Sequence, residues 1–427
     1  MKFKNIETIF VSIFLLMTIA EFIPFAFSIR LLGMNLLNHR FWASVVVATL
    51  FISDRKIFLS KPMIVVYLYF GIYFLMESIG HYDLQGNRIG RFSWISTQHY
   101  PLAVAILLRE RFMQPHMRGQ LKVMMKVAFF AFLLASVTSI LVIYRHPSAV
   151  RGTEISFFRE DQGTFRMLGM GGYGFFSSLP FIVPIIIYRI KHTVTSSSSQ
   201  TLFSTVQLLV VSLASYMAVL IAPMLLLFTA LAFSWLGRKR AKANLTLISI
   251  LILIFLLIPK VFVGQFFMSI SDNVSNTEIK RKLSDIGTTF IEGMEFVDSE
   301  SQAETTVEQR ASRVSINLKA FFRSPFIGAG VQGDAHLYWL NLLAQFGLLG
   351  ALPMFWLTYQ HIKRVYFLLS EECRFYFLLS MLTFISLGLV KTITSFLTFI
   401  TVFFVVPGMF YLESYGNINR EKIGESK

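Results

Sequence analysis

The sequence predicts an all-α polytopic membrane protein with about twelve transmembrane helices and one long external (periplasmic) loop before the last three spans. Three observations predict it. Hydrophobic residues make up 55% of the chain and charged residues only 15%, against about 25% charged in a soluble domain, and the mean hydropathy is +0.61. Apolar runs near the length of a bilayer crossing recur along the chain. Basic residues gather in alternate loops between them. With 45 Phe and 18 Met the chain carries more apolar surface than one aqueous core can hide, so lipid must cover the rest. Soluble enzymes, nucleic-acid-binding proteins and secreted disulfide scaffolds are excluded, and the net charge of +15 reads as orientation of a membrane protein.

A spanning helix needs about 20 mostly apolar residues. Such runs fall at 9–29, 36–53, 62–79, 93–108, 123–144, 170–188, 203–217, 218–236, 245–260, 339–358, 375–393 and 396–412. The first follows Met1–Lys4 and looks like a signal peptide, but no small-residue cleavage site follows it, and Glu21, Phe22 and Pro24 interrupt the pattern. It is expected to be a retained span. The stretch 203–236 has no polar break and reads either as two spans or as bent half-helices around Pro223. Ser196–Ser199 is a flexible linker. Three regions result: 1–260, with spans one to nine and a short Arg-rich external loop at 145–168; 261–338, a long external loop expected to be partly helical; and 339–427, with the last three spans and a cytoplasmic tail.

With both termini cytoplasmic, the basic loops fall inside. These hold Arg55, Lys56 and Lys61; Arg109, Arg111, Arg118 and Lys122; Arg189 and Lys191; Arg238, Lys239, Arg240 and Lys242; and Lys363, Arg364 and Arg374. Two external loops depart from this rule. The long one carries Lys280, Arg281, Lys282, Arg310, Arg313, Lys319 and Arg323, mixed with acids from Asp272 to Glu308. The short one carries Arg145, Arg151, Arg159 and Arg166 and no lysine, which suits planar, bidentate recognition of an anion.

Other patterns carry less. Gly169 to Gly174 satisfies a dinucleotide-binding spacing, but an arginine loop precedes it and a span follows; its glycines are expected to let a span start close to its neighbours. Asp298 and Glu300 belong to a solvated acidic run. Lys126 and Glu21 lie in spans, each near enough to an end to snorkel. Of the histidines, His116, His192 and His361 fall in cytoplasmic loops and His99 in a span. The lone cysteine, Cys373, permits neither an internal disulfide nor a Cys-based metal site. No HExxH or close His pair is present, so neither a metal nor another cofactor is expected.

The stretch Arg310–Gly350 carries the chemistry. Apolar positions including Val314, Leu318, Phe321 and Phe322 recur at helical spacing, as in a helix lying on a membrane surface. Ser324 to Gly330 is a turn rich in Pro and Gly. His336 then stands just before a span containing Gly347 and Gly350.

Here the chain resembles the O-antigen polymerase and O-antigen ligase superfamily of bacterial membrane glycosyltransferases. The family pattern runs from an Arg to a Pro, a G-x-G turn, and a His followed by a G-x-x-G at the start of a span. The corresponding residues are Arg310, Pro325, Gly328 and Gly330, His336, Gly347 and Gly350, and Arg166 matches an external Arg before a mid-chain span. The chain departs at Leu337, where the family often has Asn, at Gln345, where it often has Glu, and at Ser215-Tyr216, in place of a Ser-Arg pair. The resemblance implies a twelve-span protein of the bacterial inner (cytoplasmic) membrane that acts on glycans linked to undecaprenyl diphosphate. His336 would be the general base, and Arg166, Arg310, Arg313 and Arg323 would bind the diphosphate. Membrane lipids are its surroundings, and a chain-length regulator protein is an admissible partner. The expected activity is repeat-unit polymerisation of a surface polysaccharide (O-antigen, capsule or exopolysaccharide). The alternatives are a ligase acting on lipid A core and, from another class, a flippase or transporter of lipid-linked oligosaccharide. A flippase would show charges deep in several spans and a two-half repeat, and neither is evident.

Overall fold

The computed structural model of the chain describes residues 2–19, 30–31, 34–35, 39–79, 82–83, 98–146, 170–192, 198–218, 220–237, 306–329, 331–332, 337–391, 393 and 395–424, with isolated helical positions between 265 and 288. Expectations for 245–260, for Arg166, His336 and Gly330, for Glu21, and for the acids at 298 and 300 lie outside the described residues.

The architecture is all-α. In chain order the helices are α1 (Lys2–Ile19), α2 (His39–Ser53), α3 (Lys61–Ile79), α4 (Tyr100–Phe112), α5 (Arg118–Arg145), α6 (Tyr173–His192), α7 (Ser198–Met217), α8 (Ile221–Leu236), α9 (Thr306–Arg323), α10 (Tyr338–Leu368), α11 (Glu371–Val390), α12 (Phe396–Ile400) and α13 (Val406–Gly424). A π-helical turn, Thr401–Val405, joins the last two. Among the described residues the strands are two-residue bridges: β1 (Arg30–Leu31) with β2 (Met34–Asn35), antiparallel, and β3 (Tyr82–Asp83) with β4 (Val331–Gln332), parallel.

Among the described residues five helical stretches are long and apolar enough to cross a membrane: Pro115–Arg145, Tyr173–His192, Tyr338–Leu368, Glu371–Val390 and Phe396–Tyr415. Shorter apolar helices occupy Asn5–Ile19, His39–Ser53, Lys61–Leu75, Thr201–Met217 and Ala222–Leu236. The bundle is built by α1 packing on α2 and α5, α6 on α7, α8 and α11, and α10 on α3, α9 and α11. Its interior is mainly apolar and aromatic, with buried polar residues among them, while Leu68, Leu75, Leu141, Leu202 and Leu209 point outward. Outward-facing leucine at this density suits a hydrocarbon surround.

The stretch 203–236 forms two helices. The chain breaks around Ala218–Leu220, and Pro223 sits in the first turn of α8, where its missing N–H removes no helical bond. Lys191, at the end of α6, donates to the carbonyls of Ser234 (3.3 Å) and Trp235 at the end of α8. Thus α6 and α8 finish at the same end of the bundle, and α7 returns between them. Other contacts gather helix ends there too: Arg189 with Glu413 at 2.7 Å, the Arg118 guanidinium over the Tyr415 ring, and the backbone N–H of Ser370 donating to Ser414. The basic segments assigned to one side by sequence, where described, do share one end.

Candidate functional site

Helix α9 stops at Arg323 because Pro325 disfavours helical backbone at Ser324. The chain then turns, with Ser324 N–H donating to Phe321 O (3.1 Å) and Gly328 N–H to Ser324 O (2.8 Å). Gly328 has φ +83°, a conformation that favours glycine.

Opposite this turn, α10 is interrupted. Gly347 has φ 61° and ψ −168°, a combination essentially reserved to glycine. The interruption frees helical donors and acceptors, and the turn takes them up. Leu348 N–H donates to Pro325 O (2.8 Å), Leu349 N–H to Phe326 O (3.1 Å), and Ala329 N–H to Ala344 O (2.9 Å). A Cβ on Gly328 would overlap the Gln345 carbonyl, and one on Gly347 would overlap the Phe326 carbonyl. The two backbones therefore meet with no side chain between them, and every exchanged bond is satisfied, as a low-dielectric setting demands. Gly350 is buried three residues past the break in α10.

This contact organises the stretch on either side. Before it, α9 docks against α10; Arg310 and Arg313 belong to its first half, and Arg323, its last residue, is exposed. The sequence-defined Pro325, Gly328 and Gly347 thus come together directly. After it, β4 pairs with β3, Tyr82 opposite Val331 and Asp83 opposite Gln332. The chain is next described at Leu337, which caps α10. The first turn of α10 is anchored twice. Tyr338 OH donates to Gln98 Oε1 (3.2 Å), and Trp339 Nε1 donates to Ile385 O (2.8 Å). Gly388 leaves space for that indole. His336 stands two residues before this anchored turn in the sequence.

A polar layer that sequence reading missed lies beside this turn. Gln98, Asn341 and Gln345 are each buried to 2% exposure or less. Gln98 Nε2, Asn341 Oδ1, Gln345 Oε1 and the Tyr69 hydroxyl have no protein partner among the described residues. The His99 ring lies 4.2 Å from the Tyr69 ring and 4.7 Å from the Tyr73 ring. Buried amides and phenols without protein partners are met by water or by a hydroxylated ligand. The available signal was a polar stripe, Tyr338, Asn341 and Gln345, at i, i+3 and i+7 in an apolar span. On α9, Asn317 is likewise buried, its Nδ2 without a partner among the described residues.

At the opposite end of the bundle the expectation for Arg109, Arg111 and His361 as loop residues is corrected: all three are buried. Arg111 donates to Glu7 (3.1 Å) and Asp54 (3.1 Å). Arg109 donates to Glu110 (2.6 Å) and to His361 Nδ1 (2.7 Å), and Arg364 donates to both oxygens of Glu110 (2.7 and 2.6 Å). Burial there is tolerated because each charge has a partner. Lys126, by contrast, is exposed on the outside of α5. The glycines near 170 act by close approach: Gly171 N–H donates to Ser139 Oγ (2.8 Å), and a Cβ on Gly174 would overlap Ser395.

Among the described residues no group of His, Cys, Asp and Glu is arranged to hold a metal. No family model matches the chain, and no curated protein does.

Proposed function

We propose that this protein is a polymerase of lipid-linked oligosaccharide repeat units, a membrane glycosyltransferase that builds a bacterial surface polysaccharide. In this reading it crosses the inner membrane about twelve times, both termini are cytoplasmic, and the 261–338 region is external. The observation that carries the reading is the Gly328–Gly347 contact. The resemblance rests on a turn glycine and a span glycine separated by a loop with one histidine. The contact gives that spacing a physical reason, since both positions must lack a side chain for the turn to take up the bonds released by the break in α10.

The chemistry follows from the residue types. The donor is a glycan on undecaprenyl diphosphate, and the acceptor is a sugar hydroxyl of the next lipid-linked unit. The hydroxyl oxygen bonds to the anomeric carbon as the bond from that carbon to the diphosphate oxygen breaks. The diphosphate leaves with the electron pair, and His336 takes the hydroxyl proton. Arg166, Arg310, Arg313 and Arg323 would supply the positive charge that steadies the leaving diphosphate. Direct displacement inverts the anomeric centre, by analogy with single-displacement glycosidases, and arginine in place of a metal makes the transfer metal-independent.

The test is purified protein with a synthetic lipid-diphosphate repeat unit in the presence of a chelator. A ladder of lipid-linked products supports a polymerase. Product only when lipid A core is added replaces it with a ligase. Translocation of intact substrate across vesicles without new glycosidic bonds replaces it with a flippase.

A further inference from the structure

We propose that the bundle end holding Arg109 and Arg364 carries a binding site for the headgroup phosphate of an anionic membrane lipid, a site separate from the one under Proposed function. The site is a cavity of 330 Å³ lined by Asp54, Lys56, Ser60, Glu110, Gln114 and Arg364, with apolar Ile57, Val365 and Leu368 on one flank. Its volume is at the lower edge of the roughly 300–1,000 Å³ of small-ligand sites.

The charges in it are unequally committed. Its two acids are each paired with arginine: Asp54 accepts through one oxygen from Arg111, and Glu110 accepts from Arg109 and Arg364. Its bases keep donors to spare. Arg364 uses only Nη1 on Glu110, leaving Nε and Nη2 without a protein partner among the described residues, and its side chain is 53% exposed. Lys56 is exposed and makes no ion pair among the described residues. Ser60 stands at the head of α3, where a serine hydroxyl commonly caps the helix, yet its Oγ is buried with no partner among the described residues. A guanidinium edge, an ammonium and a hydroxyl thus remain as donors around one cavity, the donor set that suits a phosphate.

Location identifies the source of that phosphate. The cavity opens among helix ends, and with the apolar helices crossing a bilayer such ends fall at headgroup level. Leu368, on that apolar flank, is 44% exposed, giving acyl chains a surface beside the headgroup. A soluble phosphate would use the donors and leave that flank unused.

Native mass spectrometry and thermal unfolding of the purified full chain in detergent test this, with phosphatidylglycerol, phosphatidylcholine, glycerophosphoglycerol and inorganic phosphate as probes. Phosphatidylglycerol should be retained in preference to phosphatidylcholine and should raise the unfolding temperature. Lys56→Gln combined with Ser60→Ala should weaken that retention about ten-fold, the order expected for one charge-assisted bond, without changing unfolding in lipid-free detergent. Equal retention of the two lipids, or undiminished retention by the double variant, overturns the proposal. The same shift with glycerophosphoglycerol or phosphate alone overturns the lipid assignment in favour of a small-anion site. Arg364→Gln, which also alters the Glu110 pair, serves as a second variant and should lose the lipid preference as well.

Discussion

Gly328 and Gly347 face each other across a contact that excludes both side chains, one in a surface turn and the other at a break inside a long helix. The break makes the turn's carbonyls useful, and the turn makes the break tolerable. Neither glycine is explained alone.

Gly328→Ala and Gly347→Ala should therefore each lower stability by roughly 1–3 kcal/mol, the cost of holding a non-glycine residue in such a conformation. Because both act on one contact, the double variant should lose clearly less than the sum of the singles. Thermal unfolding in detergent measures this, and additive losses would show that the two positions act independently.

Glu110 is the shared partner of Arg109 and Arg364, and its side chain is only 8% exposed. Glu110→Gln leaves the buried Arg109 without a counter-charge and should cost about 3–5 kcal/mol. Arg364→Gln, at a half-exposed partner, should cost much less. Reduced yield and unfolding temperature in that order are expected; equal losses would mean that the network is not held by Glu110.

Cys373, the one cysteine, is buried, so cysteines added elsewhere can be labelled against a silent background. His116→Cys and Lys363→Cys, at the end that collects Arg109 and Arg364, should react only with reagent on the cytoplasmic side. His146→Cys, at the far end of α5, should react only from outside. Labelling of all three from one side would reject the orientation.

Much of this was legible in the sequence because run length dictates helices in lipid. Helices lie at the expected apolar runs where these are described, five of them long and apolar enough to cross a membrane, and the interruption expected near Pro223 falls just before it. The turn at Pro325 and Gly328 was legible from composition. What was not legible depends on distant partners. Arg111 read as a loop charge because Glu7 and Asp54, which make its burial tolerable, lie far away in the chain, and Arg109 because the helix that buries it against His361 is equally distant. Helix α10 runs on to Leu368, beyond its apolar run, because His361 and Arg364 bind inward to that network. Gly347 was visible as a motif position, but its backbone geometry follows from the turn docked against it. The amides of Gln98, Asn341 and Gln345 resemble ordinary polar interruptions in the sequence, since their burial depends on helices packed from distant parts of the chain.

The arginines proposed to hold the diphosphate should be sensitive to shape as well as charge. Arg166→Ala and Arg310→Ala should each reduce polymer severely, and Arg→Lys at either position should restore only part of it, since lysine lacks the planar fork. Full rescue by lysine would reduce their role to point charge.

The central claim rests on His336 as the general base. In the purified system with a synthetic lipid-diphosphate repeat unit, the direct measurement is the initial rate of glycosidic bond formation by His336→Ala and His336→Gln, alongside lipid-donor binding. Donor binding should stay near that of the unaltered protein while the rate falls roughly 10²–10⁴-fold for both variants. Near-normal polymer from His336→Ala would contradict the account and leave the histidine a structural residue of the loop before α10.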